Sequence, residues 1–398
     1  MRNEQQATGN RSTRYRDLSK AKSAKQDEFY TQLGDISNEL RHYKDQLRRK
    51  TILCNCDDPY ESNFFKYFAL NFNALGLKKV IATSYVKSPI VGKQLPLLDI
   101  EGLKPEGKEP YAIEINKVPD QKERGTTDIT DVEYLLKHDA NTAWGLKGDG
   151  VYNGGDFRSR ECVDLLKRAD VVITNPPFSL FREYVAQLVE NNKQFIIIGN
   201  INAVSTKEIF KLIMENRVWL GESIHSGDRE FRVPDYYPLE AAGFRVDENG
   251  VKYIRVKGVR WFTNLDVPSR HERIPLYKRY SPAEYPTYDN FDAIEVSKTV
   301  EIPADYDGTM GVPITFIDKY NPSQFEILGI TKTWFGIANK IYPNQTQIGK
   351  DGKKSTVSKL NDGATLKLIK PPTEQTYYVV DGNYYIQTYP RVLVRRKG

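Results

Sequence analysis

The sequence predicts an α/β fold, an open sheet with parallel strands, extended by a C-terminal region of different character. Three observations carry this reading. Residues 51–84 read as strand, turn, helix, strand, which is a βαβ unit and therefore implies parallel pairing. The same alternation resumes over residues 161–199. From about Asp266 prolines and tyrosines become frequent, as in Ser281-Pro-Ala-Glu-Tyr-Pro-Thr-Tyr288, and helical periodicity is lost.

Residues 31–49 are predicted to form a helix, with Thr31 as its cap and Leu33, Ile36 and Leu40 at helical spacing. Thr51-Ile-Leu-Cys-Asn-Cys56 is a strand that ends in the sharp turn Asp57-Asp58-Pro59. A helix over 62–75 buries Phe64, Phe65, Phe68 and Phe72, and Gly76 stops it. Lys79–Ser84 is the next strand. Residues 86–128 read as an insertion with one strand at Tyr111–Ile115, followed by a helix near Asp128–Lys137. A glycine-rich stretch then places Gly155-Asp156-Phe157 at the end of a third strand. Helix 161–168 leads into the buried strand Ala169–Asn175, then Pro176-Pro177-Phe178 and a helix through Glu190. A strand at Gln194–Gly199, a helix near Thr206–Glu215 and a strand ending at Trp261-Phe-Thr-Asn264 complete this part.

Composition narrows the class. The chain has 398 residues, 39% hydrophobic and 28% charged, with a mean hydropathy of -0.58. It is too long for one minimal domain, and no apolar run reaches the roughly 18–20 residues of a membrane span. The polar, basic N-terminus excludes a secretory signal. Three cysteines, Cys54, Cys56 and Cys162, point to a reducing, cytoplasmic setting. Cys54 and Cys56, two apart on one strand, read as small apolar residues facing the same side. With four scattered histidines, no metal site is expected. Net charge is +6, and residues 1–25 carry seven cations against Glu4 and Asp17 in a polar background. That pattern suits a basic, disordered arm, residues 1–24, able to track phosphates or simply to solvate the terminus.

Thr174-Asn175-Pro176-Pro177-Phe178 is the most specific signal. It follows a buried strand, and open α/β sheets bind ligands at the carboxyl ends of their strands. An exocyclic amine is a poor nucleophile because its lone pair is delocalised into the ring. Two acceptors taking both amino hydrogens, the Asn175 side-chain oxygen and the Pro176 carbonyl, would draw the nitrogen toward tetrahedral geometry. Pro176 and Pro177 stiffen the turn, and Phe178 offers a ring face for a base lifted from a duplex. The bare tetrapeptide is also compatible with a plain strand-ending turn. The turn Asp57-Asp58-Pro59-Tyr60-Glu61-Ser62 stands where dinucleotide sites carry glycines. Two carboxylates would repel phosphate and suit a cationic ligand such as the sulfonium and amine of S-adenosylmethionine. An acidic helix cap is the other reading. Asp156 could accept from the cofactor's adenine amine.

The chain resembles the EcoRI-type adenine-specific DNA methyltransferases. Lys25-Gln-Asp-Glu-Phe-Tyr-Thr31, Leu53–Tyr67, Gly155–Ser159, Thr174–Phe178, Trp261–Asn264 and Tyr306-Asp-Gly-Thr-Met-Gly-Val-Pro-Ile-Thr-Phe316 carry the likeness, from about residue 25 to the C-terminus. It implies a Rossmann-like, S-adenosylmethionine-dependent fold over 25–265 and a DNA target-recognition region over 266–398. Tyr30, Thr31, Asn55, Asp57, Asp58, Pro59, Ser62, Asp156, Phe157 and Asn175 would surround the cofactor. Asn175, Pro176, Pro177 and Phe178 would form the catalytic motif acting on a flipped adenine. Two departures stand out: Asp-Asp-Pro replaces the glycine-rich first motif, and the second strand ends in Thr83-Ser84-Tyr85 where an acid usually holds the ribose.

Asn-Pro-Pro-Phe serves equally for RNA adenine or a protein glutamine amide, and a relative keeping only the fold would bind DNA without catalysis. The tyrosine- and lysine-rich C-terminal region favours a polymeric substrate, and the resemblance favours duplex DNA. The expected setting is a cytoplasmic restriction–modification system with a possible cognate endonuclease.

Overall fold

The computed structural model describes residues 31–56, 59, 63–85, 110–118, 143–225, 227–233 and 243–397. The expected helix at Asp128–Lys137 and the arm 1–24 lie outside them. The chain divides into two compact units, one of residues 1–201 with 221–265, the other of 202–220 with 266–398. Asn202–Leu220 thus belongs to the second unit although it precedes residue 265.

In chain order the helices are α1 (Leu33–Leu40), α2 (Lys44–Leu47), α3 (Asn63–Leu70), α4 (Arg160–Arg168), α5 (Phe181–Glu190) and α6 (Lys207–Met214). The strands up to residue 263 are β1 (Thr51–Cys54), β2 (Lys79–Thr83), β3 (Tyr111–Ile115), β4 (Ala143–Gly145), β5 (Val171–Thr174), β6 (Gln194–Asn200), β7 (Trp219–Leu220), β8 (Asp228–Arg232), β9 (Phe244–Val246), β10 (Lys252–Lys257) and β11 (Val259–Thr263).

The first unit is a mixed α/β structure. Its main-sheet strands run in the order β4-β3-β2-β1-β5-β6-β11. β1 pairs in parallel with β2 on one side and with β5 on the other, and β5 pairs in parallel with β6. Thr51-Ile-Leu-Cys and Val171-Val-Ile-Thr are buried along their whole length, as strands covered on both faces must be. The order therefore reverses between β1 and β5, which opens a crevice at their carboxyl ends. A second, three-stranded sheet of this unit has the order β8-β10-β9, antiparallel throughout.

Five expectations are corrected. The sheet is mixed, since β3 runs antiparallel to β2 and β11 antiparallel to β6. Gly155–Phe157 therefore does not end a third parallel strand; it is a loop before α4. The first helix breaks in two at Arg41–Tyr43, where His42 and Tyr43 close tighter turns on Glu39 and Leu40, and the buried Glu39 carboxylate is drawn to the Tyr43 hydroxyl and the Glu222 and Ser223 amides. The helix expected over 62–75 ends at Leu70, and residues 71–76 continue as turns. Cys56 also departs from the reading: β1 ends at Cys54, and Cys56 at φ 64° is half-buried.

The second unit carries α6, β7 and nine further strands: β12 (Ile294–Glu295), β13 (Met310–Pro313), β14 (Phe325–Ile330), β15 (Gln345–Ile348), β16 (Lys354–Val357), β17 (Thr365–Leu368), β18 (Tyr377–Val380), β19 (Asn383–Gln387) and β20 (Arg391–Arg396). One sheet has the order β12-β13-β20-β14, the other β16-β15-β18-β19-β17. Arg391 forks onto the buried Glu295 carboxylate, which also accepts from the Tyr288 hydroxyl.

Phe210 of α6 is fully buried, with the rings of Trp334 and Phe335 edge-on at 6.1 and 5.9 Å. We predict that Phe210→Ala destabilises the second unit by about 3–5 kcal/mol, read from urea unfolding. A chain ended at residue 265 strips Phe210 of these rings and is expected to aggregate. Replacing 202–220 by a short glycine linker should restore its solubility, and failure to do so would contradict the division of the chain.

Candidate active site

The carboxyl ends of β1 and β5 are fastened together. The Thr174 hydroxyl donates to the Asn55 main-chain carbonyl, and the Tyr184 hydroxyl donates to the Asn55 side-chain oxygen. All three residues are at most 1% exposed. Burial holds the Tyr184 phenol well above its usual range, so it remains a neutral donor.

Asn175 and Pro176, the next residues after β5, are buried, and Pro177 and Phe178 are half-buried. Phe178–Leu180 forms one turn of 3-10 helix before α5. Its first closing bond runs from the Leu180 amide to the Pro177 carbonyl, so the turn does not consume the Pro176 carbonyl.

A third segment reaches the same edge. Gly155 sits at φ +75°, and a Cβ there would lie 1.9 Å from the Ser84 carbonyl oxygen. Only glycine lets this loop close onto the end of β2. Phe157 packs edge-on against Tyr184 at 4.9 Å, and the Gln187 amide donates to the Phe157 carbonyl at 2.9 Å. Tyr184 and Gln187, three apart on α5, therefore hold the turn after β1 and the Gly155 loop from one helix face. The Asp156 carboxylate is gripped by Arg158, Nε to Oδ1 at 2.9 Å and Nη2 to Oδ2 at 2.8 Å. The same guanidinium lies over the Tyr152 ring at 4.6 Å. Arg158 thereby fixes the direction of the carboxylate.

Cys56, Tyr85, Gly155, Asp156, Phe157, Pro177 and Leu180 line a cleft at this point. Thr31 is brought to the turn beyond β1, where its carbonyl accepts from Asn63 at 2.7 Å. Its own hydroxyl is buried and meets no hydrogen-bond partner among the described residues. Pro59 is buried in the same turn. Tyr30, Asp57, Asp58 and Ser62 lie outside the described residues.

Sequence reasoning missed Cys56, Tyr85, Leu180, Tyr184, Gln187 and Arg158. Tyr184 falls in the apolar stripe of α5 with Phe181, Val185 and Leu188, and so reads as an ordinary core aromatic. For Tyr85 a signal existed: it directly follows the Thr83-Ser84 strand end where an acid was missing.

The chain matches the family described as adenine-specific methyltransferase EcoRI over residues 17–397. It is 46% identical to the type II methyltransferase M.EcoRI of Escherichia coli over 319 residues, covering 79% of this chain and 89% of that protein. It is 37% identical to the type II methyltransferase M.MpnI of Mycoplasma pneumoniae over 316 residues, 78% and 84% of the two chains. A Mycoplasma genitalium relative, M.MgeORF184P, is 36% identical over 316 residues, covering 78% of this chain and 85% of that protein. No solved structure matches.

The Tyr184–Asn55 bond generates a prediction. Tyr184→Phe leaves a buried amide oxygen without its donor, so stability should fall by about 1–3 kcal/mol. Urea denaturation measures it, and an unchanged midpoint would remove the bond from the account.

Proposed function

The chain belongs to the EcoRI family of adenine-specific methyltransferases, and we propose that it methylates the N6 amino group of adenine in duplex DNA at a site between β1 and β5. One observation carries the placement: the Asn175-Pro176 strand end stands at the strand-order reversal, beside a cleft walled by a carboxylate and aromatic rings.

The donor set fits S-adenosylmethionine. Among the described lining residues there is no cationic side chain, which argues against a phosphate-bearing cofactor. Asp156 offers a carboxylate and Phe157 and Tyr85 offer ring surface, which suits an adenosine with a positively charged tail. Thr31, Asn55 and Cys56 stand at the turn after β1, in reach of that tail. Tyr30, Asp57, Asp58, Pro59 and Ser62 complete the proposed set. When bound, S-adenosylmethionine supplies an electrophilic methyl group on a sulfonium.

The chain's own residues prepare the nucleophile. The Asn175 side-chain oxygen and the Pro176 carbonyl accept the two amino hydrogens of the target adenine and localise its lone pair. Pro176 and Pro177 hold these acceptors still, because φ is fixed at both. The half-buried ring of Phe178 stacks on the base after it leaves the duplex. The amine loses one proton as its new bond forms, and an acceptor already on that hydrogen eases the loss.

In this reading the first unit has a Rossmann-like methyltransferase fold. Residues 266–398 supply target recognition, and the basic segment 1–24 adds phosphate contacts. A cognate endonuclease and a cytoplasmic setting accord with the type II relatives and with three free cysteines. Among the described residues no helix is long and apolar enough to cross a membrane.

Asn175→Ala tests the chemistry. Tritiated methyl transfer to duplex DNA should fall at least 100-fold, about 2.7 kcal/mol in transition-state stabilisation. Calorimetric affinity for S-adenosylmethionine should stay within a few-fold. Retained transfer would overturn the role of Asn175, and wild-type transfer to RNA or protein but not DNA would overturn the substrate.

A further inference from the structure

β8, β10 and β9 form a three-stranded antiparallel ribbon whose place in the first unit is set by topology. β10 ends at Lys257, and Gly258 at φ +71° turns the chain straight into β11. Val259 pairs with Asn200, the last residue of β6, while the Ile201 amide donates to the Gly258 carbonyl and the Asn200 side chain to the Lys257 carbonyl. β6 runs parallel to β5, so Asn200 stands on the same carboxyl edge as Asn175. Two strand spacings separate β5 from β11, about 10 Å sideways. The ribbon therefore leaves the sheet at the catalytic edge, close beside the Asn-Pro-Pro-Phe turn.

Its two faces differ. Ile254 pairs with Phe231 and with Phe244, and Ile254 and Phe231 are buried. On that face Arg229 meets Asp35 of α1 at 3.6 Å, so this side is turned onto the body of the unit. The opposite face places Arg232, Tyr253 and Arg245 in one row across the three strands, then Arg255 opposite Glu230, then Lys257 opposite Asp228. Arg245, Arg255 and Lys257 are exposed. Among the described residues no aliphatic side chain belongs to this face, which argues against a protein partner. Arg245 is held in place, forked onto Glu230 at 2.7 and 2.5 Å and lying over the Tyr253 ring at 4.3 Å. A guanidinium has five N–H donors, so this fork leaves others to point outward.

We propose that the outward face of this ribbon binds the sugar-phosphate backbone of DNA next to the flipped adenine, giving the catalytic unit a DNA contact of its own. The proposal rests on the function reading above. Cations recur at alternate positions along β10, Arg255 and Lys257, and a net positive face on the catalytic edge complements the charge of a duplex backbone. Recognition by the C-terminal region alone would leave the strand beside the active site unheld.

The test uses the full chain and a random-sequence duplex, because phosphate contacts are independent of sequence. Log Kd is measured against log salt for the wild type and for Arg255→Gln combined with Lys257→Gln. Removing one phosphate-binding cation should flatten the slope by about 0.9, so the double variant should flatten it by about 1.8. Its thermal midpoint and its S-adenosylmethionine affinity should not move. The charge-keeping pair Arg255→Lys with Lys257→Arg should retain the wild-type slope, which separates the removal of charge from a disturbed strand. An unchanged slope in the glutamine variant, with wild-type DNA methylation intact, overturns the ribbon proposal alone. A wild-type chain that methylates no DNA overturns the function reading and the ribbon with it. A glutamine variant that turns a wild-type dimer into a monomer at unchanged slope assigns the face to self-association instead.

Discussion

The Asn55 clamp is the constraint on which the site depends. Two parallel strands whose connections leave in opposite directions must part at their carboxyl ends, and the last main-chain groups there have no ladder partner. A buried carbonyl without a donor costs about 1–3 kcal/mol. The Thr174 hydroxyl meets the Asn55 carbonyl, and the Tyr184 hydroxyl meets its side chain. With both satisfied, β1 and β5 end at a defined separation, and Cys56 turns the chain away in a left-handed conformation. The crevice is therefore a fixed gap rather than a frayed edge.

The same economy governs the rest of the cleft. One helix, α5, is launched by Asn-Pro-Pro-Phe and then holds the other two segments through Tyr184 and Gln187. The turn proposed to present the acceptors and the helix that holds the Asn55 turn and the Gly155 loop are thus continuous in the chain. Phe181, at the start of α5, packs on Phe262 of β11 at 4.9 Å, and it covers Gly199 so closely that a Cβ there would lie 2.5 Å from its ring. That packing joins the Asn-Pro-Pro-Phe turn to the strand from which the cationic ribbon departs. Positioning of this kind, on packed elements with satisfied polar groups, is what methyl transfer to a weak nucleophile requires.

Much of this was legible in the residues. Thr51–Cys54, Val171–Thr174 and Phe195–Ile198 are short apolar runs bounded by turn residues, and such runs fill the centre of a sheet covered on both faces. Asn-Pro-Pro-Phe could be placed because it follows one of them. Strand direction was not legible: Tyr111–Ile115 and Val259–Thr263 look like any buried strand, and their antiparallel pairing is set by where the chain returns. The Gly155 loop was misplaced for a related reason. Its glycines signal a turn, but the surface it closes on, Ser84, is some 70 residues away in sequence. Tyr184 was invisible because a buried hydroxyl donor and a plain core ring occupy the same helical position.

We propose that the cofactor sits where β1 and β5 part. Hydrogen exchange of the full chain with and without S-adenosylhomocysteine tests it most directly. Slowed exchange is expected in peptides spanning 53–56, 84–85, 154–158 and 178–181, with 345–387 unchanged. Protection confined to the second unit, with those four segments exchanging as before, would contradict it.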